Sequence, residues 1–374
     1  LGVPLVHTGH SLGRVKRRRL IASGMKRDLV ESRYHMTRRI DAEEVTLGSA
    51  SLVIVSTANE IEEQYELYDY YQPEQMRVIP PGTDLKRFRP PDGSEQHEPI
   101  AADVARFLRD PAKPMILALS RPDERKNIAG LVQAYGESAE LQDLANLVIV
   151  SGNRDDIRDL DPGAQSVLSD LLMDIDRYDL YGRVAYPKHH HREEVPVLYR
   201  LAAASHGVFV NPALTEPFGL TLIEAAASGL PIVATSDGGP RDIVGNCHNG
   251  YLIDPLNTQD IAEKLLMALK DRNNWNRLSE AGLRGVEEHY SWPGHAARYL
   301  EAVRPLVHQG QPVRPVRIRR PMLDHDRALF TNLDQNLLGD PASLAEFVRL
   351  VRDHRRIATF GIVTGRSLES TLIV

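Results

Sequence analysis

The sequence predicts an α/β protein whose sheets are parallel and are built from repeated strand–helix–strand units. Short apolar runs typical of strands buried on both faces recur along the chain, at residues 52–56, 114–119, 147–150 and 207–211. Strands that are connected through helices pair in parallel, with right-handed crossovers. With 374 residues, 42% of them hydrophobic and 26% charged, the chain is long enough for two or three globular domains.

Charge and cysteine content exclude several classes of protein. A formal net charge of -6 argues against a general nucleic-acid binder. The one cysteine, Cys247, excludes an internal disulfide and a cysteine-built zinc site, as is typical of a reducing compartment, so we predict a cytoplasmic location. No apolar run reaches 18 residues, and we therefore expect neither a membrane span nor a membrane partner.

The amino-terminal residues are predicted to form a strand, residues 3–7, with a ligand-side turn at its carboxyl end. The turn carries His10 and Ser11, and Lys16 lies in the basic run that follows. Such a run is often a solvated face or a nucleic-acid patch; the alternative is that Ser11 and Lys16 hold a phosphate of a small substrate. His10 is either a pocket residue or a structural hydrogen-bonding group. Because the chain begins inside a strand without methionine, we expect it to be a fragment.

Residues 25–49 are predicted to form one amphipathic helix. Arg39 lies on its polar side. It either swings toward the phosphate that Lys16 would hold, or forms an ion pair with Glu43 at the i,i+4 spacing, and the sequence does not distinguish the two.

A second α/β unit is predicted to deliver two cations to the ligand edge of its sheet. Its first strand is followed by Arg121 and Lys126, which flank a proline-containing turn and could clamp two phosphates. Either side chain could instead pair with Asp123 or Glu124. The next strand ends near Gly152, in a loop that permits close approach of a ligand to the backbone.

Three adjacent histidines, residues 189–191, follow a short strand. Neighbouring residues do not share a face, and no carboxylate sits at helical ligand spacing, so we do not expect zinc here. We expect one of the three, His189, to line a pocket.

The stretch from Thr215 to Gly239 combines two carboxylates with a helix start and a buried strand. Glu216 and Glu224 are eight positions apart, and residues 217–219 make a sharp entry that leaves the first-turn amides of a helix free. Free amides at a helix N-terminus bind anions, which would suit the diphosphate of a nucleotide sugar. The alternative is an ordinary helix–strand unit with two solvated glutamates.

Four segments together resemble sucrose-phosphate synthase, a retaining glycosyltransferase of the GT-B fold (GT4-like). They are GHSLGRVK at 9–16, SRPDERKN at 120–127, AYPKHHH at 185–191 and NPALTEPFGLTLIEAAASGLPIVAT at 211–235. Glu216 and Glu224 match the E-x7-E pair of a broad glycosyltransferase group, and sucrose synthase is a close relative. The resemblance implies two Rossmann-like domains, of which the amino-terminal one is truncated here.

The domain boundaries are predicted as follows. Residues 1–100 would be the carboxyl-terminal part of the acceptor-binding Rossmann-like domain, and residues 101–303 would be the nucleotide-sugar-binding one. A proline-rich basic linker would cover residues 304–325. Residues 326–374 would begin a HAD-like domain, of the haloacid-dehalogenase type.

The resemblance implies transfer of glucose from UDP-glucose to fructose 6-phosphate with retention, which gives sucrose 6-phosphate and UDP in sucrose biosynthesis. No cofactor is implied, and Mg2+ is tolerated but not required. A sucrose-phosphate phosphatase is a candidate partner. A sucrose synthase, another retaining glycosyltransferase, and an inactive fragment or binding module remain alternatives, and we expect this chain by itself to be inactive.

Roles for individual residues are also implied by the resemblance. Arg121 and Lys126 would hold the diphosphate and stabilise charge on the leaving group. Glu216, with the amides of residues 218–220, would hold the glucosyl unit, and His10 would contact its hydroxyl edge near the reacting carbon. Glu224 would bind the ribose hydroxyls. The other donor-site residues would be Gly152, His189, Phe218, Gly219 and Leu220, and the acceptor's 6-phosphate would be held by Ser11, Lys16 and Arg39.

The carboxyl-terminal residues resemble the start of a sucrose-phosphatase domain of the HAD type. That family needs two aspartates two positions apart, the first as nucleophile and magnesium ligand. Here Asn332 stands in the first position and Asp334 in the second, while Thr364 matches the next motif. An amide is a poor nucleophile and offers a metal no negative charge, so we predict no phosphatase activity and a docking or regulatory role.

Overall fold

The computed structural model describes residues 3–9, 12–308, 328–332, 340–354 and 359–363. They fall into two compact units. The first draws on residues 1–10, 50–65 and 72–312, and the second on residues 11–49, 66–71 and 313–374. Within the described ranges, no helix is both long and apolar enough to cross a membrane.

Strands and α-helices are numbered in chain order. The strands are β1 Val6–Thr8, β2 Leu52–Val55, β3 Met76–Val78, β4 Met115–Ser120, β5 Asn146–Ser151, β6 Val184–Ala185, β7 Val208–Asn211, β8 Ile232–Thr235, β9 Gly250–Ile253, β10 Ala328–Asn332 and β11 Thr359–Val363. The helices are α1 Gly13–Ala22, α2 Arg27–Tyr34, α3 Met36–Ser49, α4 Pro99–Ala105, α5 Ile128–Gly136, α6 Ala139–Leu144, α7 Pro162–Arg177, α8 Val195–Ala204, α9 Leu220–Ala227, α10 Pro240–Cys247, α11 Thr258–Leu269, α12 Arg272–His289, α13 Trp292–His308 and α14 Pro341–His354.

The first unit contains two parallel sheets, as the sequence predicts. The smaller has the order β1-β2-β3, and the larger has the order β6-β5-β4-β7-β8-β9. In the larger sheet, β4 pairs with β5 from Met115↔Asn146 to Ser120↔Ser151, and it pairs with β7 through Ile116↔Val208. The strand order reverses between β4 and β7. Their carboxyl ends therefore flank a topological switch point, where ligands bind in open α/β sheets.

Helices cover both faces of the six-stranded sheet. One buried cluster joins its strands to α5 and α11 through Leu131 and Leu265, and another joins them to α9 and α12 through Ile223 and Val286. Each such buried side chain contributes roughly 1.5–3 kcal/mol to folding. Because both faces are removed from water, the central strands are apolar along their length and do not alternate.

Side-chain caps start three of the longer helices of this unit. At α7, Asp161 accepts hydrogen bonds of 3.1 Å from the N–H groups of Gly163 and Ala164. Asn257 and Asp271 cap α11 and α12 in the same way. Helix α9 differs, because no side chain caps its first turn.

Helix α13 returns to the three-stranded sheet. Tyr299 packs against the buried residues of β2, and the Nδ1 atom of His295 lies 2.8 Å from the carbonyl oxygen of Pro80, which follows β3. The loops after β2 and β3 are thereby held beside the larger sheet. The helix continues to His308, past the predicted start of the linker at 304–325, and the rest of that predicted linker lies outside the described residues.

The second unit contains α1, α2 and α3, where the sequence predicts a single helix over residues 25–49. That prediction is wrong at His35, which adopts a left-handed conformation with φ 48° and ends α2. Helix α3 begins directly afterwards, because Glu31 accepts hydrogen bonds from the N–H group and the hydroxyl of Thr37, at 3.0 and 2.9 Å. Left-handed histidine backbone has no clear signal in a sequence.

The same unit contains the carboxyl-terminal strands. β10 and β11 pair in parallel from Ala328↔Thr359 to Asn332↔Val363, and α14 lies between them in the chain. This is the strand–helix–strand unit expected at the start of a HAD-like domain. Asn332 ends β10, while Asp334 and Thr364 lie outside the described residues. The expected lack of phosphatase activity stays a prediction.

Candidate active site

A cavity of about 710 Å³ opens at the carboxyl ends of the strands in the first unit. Its walls come from the segments after β4, β5, β6 and β7, from the first turn of α9, and from the loops after β2 and β3. Its volume falls within the range of small-molecule sites, roughly 300–1,000 Å³. Among the residues predicted for a donor site, the structure brings to this cavity Arg121, Lys126, Gly152, Glu216, Phe218, Gly219 and Leu220.

An ion pair lies at the switch point. The Nζ atom of Lys126, carried from the end of β4, is 2.7 Å from Oε2 of Glu216, which follows β7. Asn211 Nδ2 donates to the same oxygen at 3.0 Å. The side chain of Glu216 is 13% exposed and that of Lys126 is 26% exposed, so the pair is shielded from water on most sides. The alternative pairing of Lys126 with Asp123 or Glu124 is therefore wrong.

Arg125, the neighbour of Lys126, forms an ion pair with Asp123. The sequence offers Asp123 as a partner for Arg121 or Lys126. The Nε atom of Arg125 donates to Oδ1 of Asp123 at 3.0 Å, and this hydrogen bond lowers the pKa of Asp123 to about 2. Arg121 lies exposed on the cavity wall and, within the described ranges, its side chain makes no hydrogen bond or ion pair. Its guanidinium is thus available to an anion in the cavity.

The backbone around Glu216 is held by the loop after β8. Glu216 N–H donates to the carbonyl oxygen of Asp237 at 3.1 Å, and Gly239 N–H donates to that of Glu216 at 2.9 Å. The chain then turns at Gly219, with φ 106°, into the uncapped first turn of α9. Free amides of a helix N-terminus and a cation from β4 therefore face one space, an arrangement that binds phosphate groups.

Glu224 lies one turn into α9 and is not part of the cavity wall. Its Oε2 accepts a hydrogen bond from the Tyr199 hydroxyl at 3.2 Å. Burial raises the pKa of this carboxyl, and the Tyr199 hydrogen bond only partly opposes that shift. The predicted ribose contact remains a prediction.

Glu224→Gln is expected to remove a pH-dependent loss of stability. Because the pKa of Glu224 is raised in the folded protein, the folded state binds its proton more tightly than the unfolded state, whose carboxyl titrates near 4.5. The contribution of Glu224 to the free energy of unfolding is therefore complete below pH 4.5. It is lost as the pH rises through the raised pKa of the folded protein. Urea unfolding at about pH 4 and about pH 8 should show the wild-type protein losing stability relative to Glu224→Gln. A pH-independent difference would contradict the expectation.

Of the three adjacent histidines at 189–191, the one that reaches the cavity is not the one that the sequence predicts. His190 lines the cavity, whereas His189 points Nε2 toward Asp155 at 3.2 Å and is more than half exposed. The assignment of His189 to the donor site is thus not supported, because successive residues of an extended loop face opposite ways. Among the described residues, no three histidine, cysteine, aspartate or glutamate side chains are grouped to hold a metal ion.

Sequence reasoning missed the cavity residues that come from outside the six-stranded sheet. They are Ser56 and Glu60 after β2, Pro81 after β3, and Trp292 at the start of α13. Glu60 is buried, accepts a hydrogen bond from Ser56 N–H at 2.9 Å, and has a pKa raised by burial. The position of Glu60 after a buried parallel strand could have identified it from the sequence. Nothing in the sequence marks Trp292 as a cavity residue.

The predicted acceptor residues are only partly described. His10 and Ser11 lie outside the described residues. In the second unit, Lys16 Nζ lies over the Tyr34 ring, 4.9 Å from its centroid, and Arg39 Nε donates to Glu43 at 2.9 Å. The i,i+4 ion pair, one of the two alternatives for Arg39, is therefore formed.

Comparison with known proteins places this site in a family. A family model described as glycosyl transferases group 1 matches residues 100–284, and one described as sucrose-6F-phosphate phosphohydrolase matches residues 325–374. Sucrose-phosphate synthase of Zea mays is 48% identical over 81% of this chain, as is "Probable sucrose-phosphate synthase 2" of Craterostigma plantagineum. The chain is a homologue of sucrose-phosphate synthases. It spans 32% of the length of each of these two relatives.

Solved structures agree with this similarity to sucrose-phosphate synthases. The sucrose-phosphate synthase of Thermosynechococcus elongatus matches 81% of this chain and 67% of its own, with a TM-score of 0.61 and 27% identity. The Anabaena protein HepE in complex with UDP matches 81% of this chain and 72% of its own, with a TM-score of 0.61 and 17% identity. The second match supports the GT-B fold alone.

Proposed function

We propose that the protein transfers glucose from UDP-glucose to fructose 6-phosphate, with retention, and so forms sucrose 6-phosphate and UDP. The observation that carries the proposal is the Lys126–Glu216 ion pair beside the uncapped start of α9, in the switch-point cavity of a sucrose-phosphate synthase homologue. The solved HepE complexes with UDP and with UDP-glucose support a nucleotide-sugar donor in this fold.

The donor's diphosphate is the group that these cations fit. Arg121 offers a planar fork for two phosphate oxygens, and Lys126 offers a point charge. On leaving, UDP gains negative charge on the oxygen that separates from the sugar, and both cations stabilise that charge. Glu216, released in part from Lys126, accepts hydrogen bonds from the glucosyl hydroxyls. No metal is needed for these steps, because the cations and the α9 amides already face the anion.

The remaining roles in the proposal follow the family resemblance. Glu224 binds the ribose hydroxyls, and His10 contacts the glucosyl unit near the reacting carbon. Ser11, Lys16 and Arg39 hold the acceptor's 6-phosphate, with Arg39 shared between that phosphate and Glu43. A sucrose-phosphate phosphatase would consume the product, and a cytoplasmic location fits the single, unpaired Cys247.

The acceptor phosphate separates this proposal from a sucrose synthase. In the longest protein that contains these residues, fructose 6-phosphate should react with UDP-glucose far faster than fructose does. Lys16→Met should raise KM for fructose 6-phosphate by about tenfold or more, the effect of one lost charged hydrogen bond. Lys26→Met, which removes an exposed lysine at the start of α2, is the matched control. Equal rates with the two acceptors would contradict the proposed phosphate pocket, and faster reaction with fructose would favour a sucrose synthase.

A second candidate function is a binding module without transferase activity. The cavity favours it in one respect, because Arg121, Lys126 and the uncapped first turn of α9 suffice to bind a nucleotide sugar without any acceptor site. Binding of UDP-glucose in equilibrium dialysis, together with no UDP release in the presence of fructose 6-phosphate, would favour the module.

A further inference from the structure

Two loops at the edge of the donor cavity are joined by several hydrogen bonds. One loop follows β5 and carries Asn153 and Arg154; the other follows β6 and runs from Tyr186 to His190. Arg154 N–H donates to the carbonyl oxygen of Lys188 at 3.0 Å, and Lys188 Nζ donates to that of Asp155 at 2.7 Å. The β6 loop is thus held by its neighbour along most of its length.

Arg154 is the buried centre of this arrangement. Only 7% of the residue is exposed, and within the described ranges its guanidinium has no carboxylate partner. Its Nη1 and Nη2 donate instead to the carbonyl oxygens of Pro187 and Tyr186, at 3.3 and 3.2 Å. A buried charge without a counter-ion is expensive. The guanidinium therefore fixes the positions of these two carbonyl groups, and with them the course of the β6 loop.

Asn153 fixes the far end of the same loop. Its side-chain amide donates to the carbonyl oxygen of His190 at 3.0 Å and accepts from His190 N–H at 2.9 Å. This two-bond pairing resembles one step of a sheet, and it sets both the position and the orientation of the His190 backbone.

His190 is the residue that these contacts deliver to the cavity. Its Nδ1 atom is buried and has no hydrogen-bond partner among the described residues. Burial lowers its pKa, so the imidazole is neutral at pH 7 and offers one donor and one acceptor. An unsatisfied buried nitrogen is rare in a folded protein and points to a missing partner.

The strand order indicates which part of a nucleotide-sugar donor would lie beside His190. The Lys126–Glu216 pair and α9 lie at β4 and β7, where the diphosphate would bind, whereas Gly152 and His190 follow β5 and β6 on the other side of β4. A nucleotide with its phosphates at the switch point would direct its nucleoside part toward β5 and β6.

We propose that Asn153 and Arg154 are positioning residues that hold His190 at the nucleoside end of the donor cavity. The inference rests on the proposed use of a nucleotide-sugar donor. Arg154 touches no substrate; it acts through the backbone of the β6 loop. His190 makes the contact with the nucleoside.

The test is a comparison of UDP binding with inorganic pyrophosphate binding by calorimetry, in the longest protein that contains these residues. Arg154→Met and Asn153→Ala should each weaken UDP binding about tenfold, the effect of one lost hydrogen bond. Both should leave the Kd for pyrophosphate unchanged within about twofold. Asn153 is exposed, so its variant keeps the test valid if Arg154→Met fails to fold. Arg158→Met, an exposed arginine near the same loop, is the control and should bind as wild type does.

A double-mutant cycle separates positioning from general damage. In a His190→Ala background, Arg154→Met and Asn153→Ala should weaken UDP binding by less than about twofold further. The proposal would be overturned if the two substitutions weakened UDP binding in the His190→Ala background as much as they do in the wild-type protein. It would also be overturned if they weakened UDP and pyrophosphate binding equally. If UDP binding behaves as expected but no transfer occurs, the proposed function fails and the positioning role stands. If the wild-type protein binds no UDP, both fail.

Discussion

Lys126→Met is expected to lower kcat for glucosyl transfer by about 100-fold or more. Lys126 Nζ is held in the cavity by Glu216 at 2.7 Å, beside the uncapped start of α9. In the proposed reaction, it meets the diphosphate on which negative charge develops as the glycosidic bond breaks. A charge that is already oriented before the reaction stabilises the transition state without reorganisation, which is why its loss affects kcat. Steady-state kinetics with UDP-glucose and fructose 6-phosphate measure the effect.

The chain offers a matched control for this variant. Lys270 forms a similar ion pair with Glu140, at 2.6 Å, but both side chains are about half exposed. Glu140 lies on α6 and Lys270 directly follows α11, and neither lines the cavity. Lys270→Met should leave kcat and KM unchanged, because exposed ion pairs contribute little. If Lys126→Met raised only the KM for UDP-glucose, Lys126 would bind the donor equally in ground and transition states, and its proposed role on the leaving group would be wrong.

Gly238→Ala is expected to lower the free energy of unfolding by about 3 kcal/mol and to abolish transfer. Gly238 has φ 99°, which an alanine rarely adopts, and an added Cβ would overlap the carbonyl oxygen of Glu216. The obstructing atom is backbone, so relief requires a shift of Glu216. That shift would also separate Glu216 from Lys126, which links the stability loss to the activity loss.

Gly245→Ala is the control for this glycine replacement. Gly245 lies inside α10, and a Cβ there would meet no atom within 4 Å. Alanine in an open helical position should leave activity unchanged and raise stability by about 0.5–1 kcal/mol. Urea unfolding of both variants, each with an activity assay, makes the comparison. Wild-type activity in Gly238→Ala would show that the loop after β8 does not position Glu216.

The strands of both sheets were predictable from sequence for a simple reason. A parallel strand buried on both faces must be apolar throughout, so runs such as residues 52–56 and 207–211 stand out. The break at His35 was not predictable. It depends on one left-handed residue and on hydrogen bonds from Thr37 to Glu31, while the apolar periodicity continues across the break.

For the site, the sequence by itself determined which side chains reach the ligand edge, because residues that follow parallel strands meet there. Lys126 and Glu216 were predicted in this way. Their pairing was not, since Asp123 and Glu124 were nearer in the chain and competed for the same cation. Only the tertiary structure decided it, by placing the end of β7 next to the end of β4.

The local sequence likewise does not show that His190 and Trp292 line the cavity. The loop that carries His190 to the cavity is hydrogen-bonded to Asn153 and Arg154, more than thirty residues earlier. Trp292 reaches the cavity because α13 returns to the smaller sheet. Local sequence determines strands, helix starts and the residue types at a sheet edge, because these follow from neighbouring residues. Which side chains pair with each other, and which side chains face the cavity, depend on contacts between distant segments. These contacts form only when the chain folds.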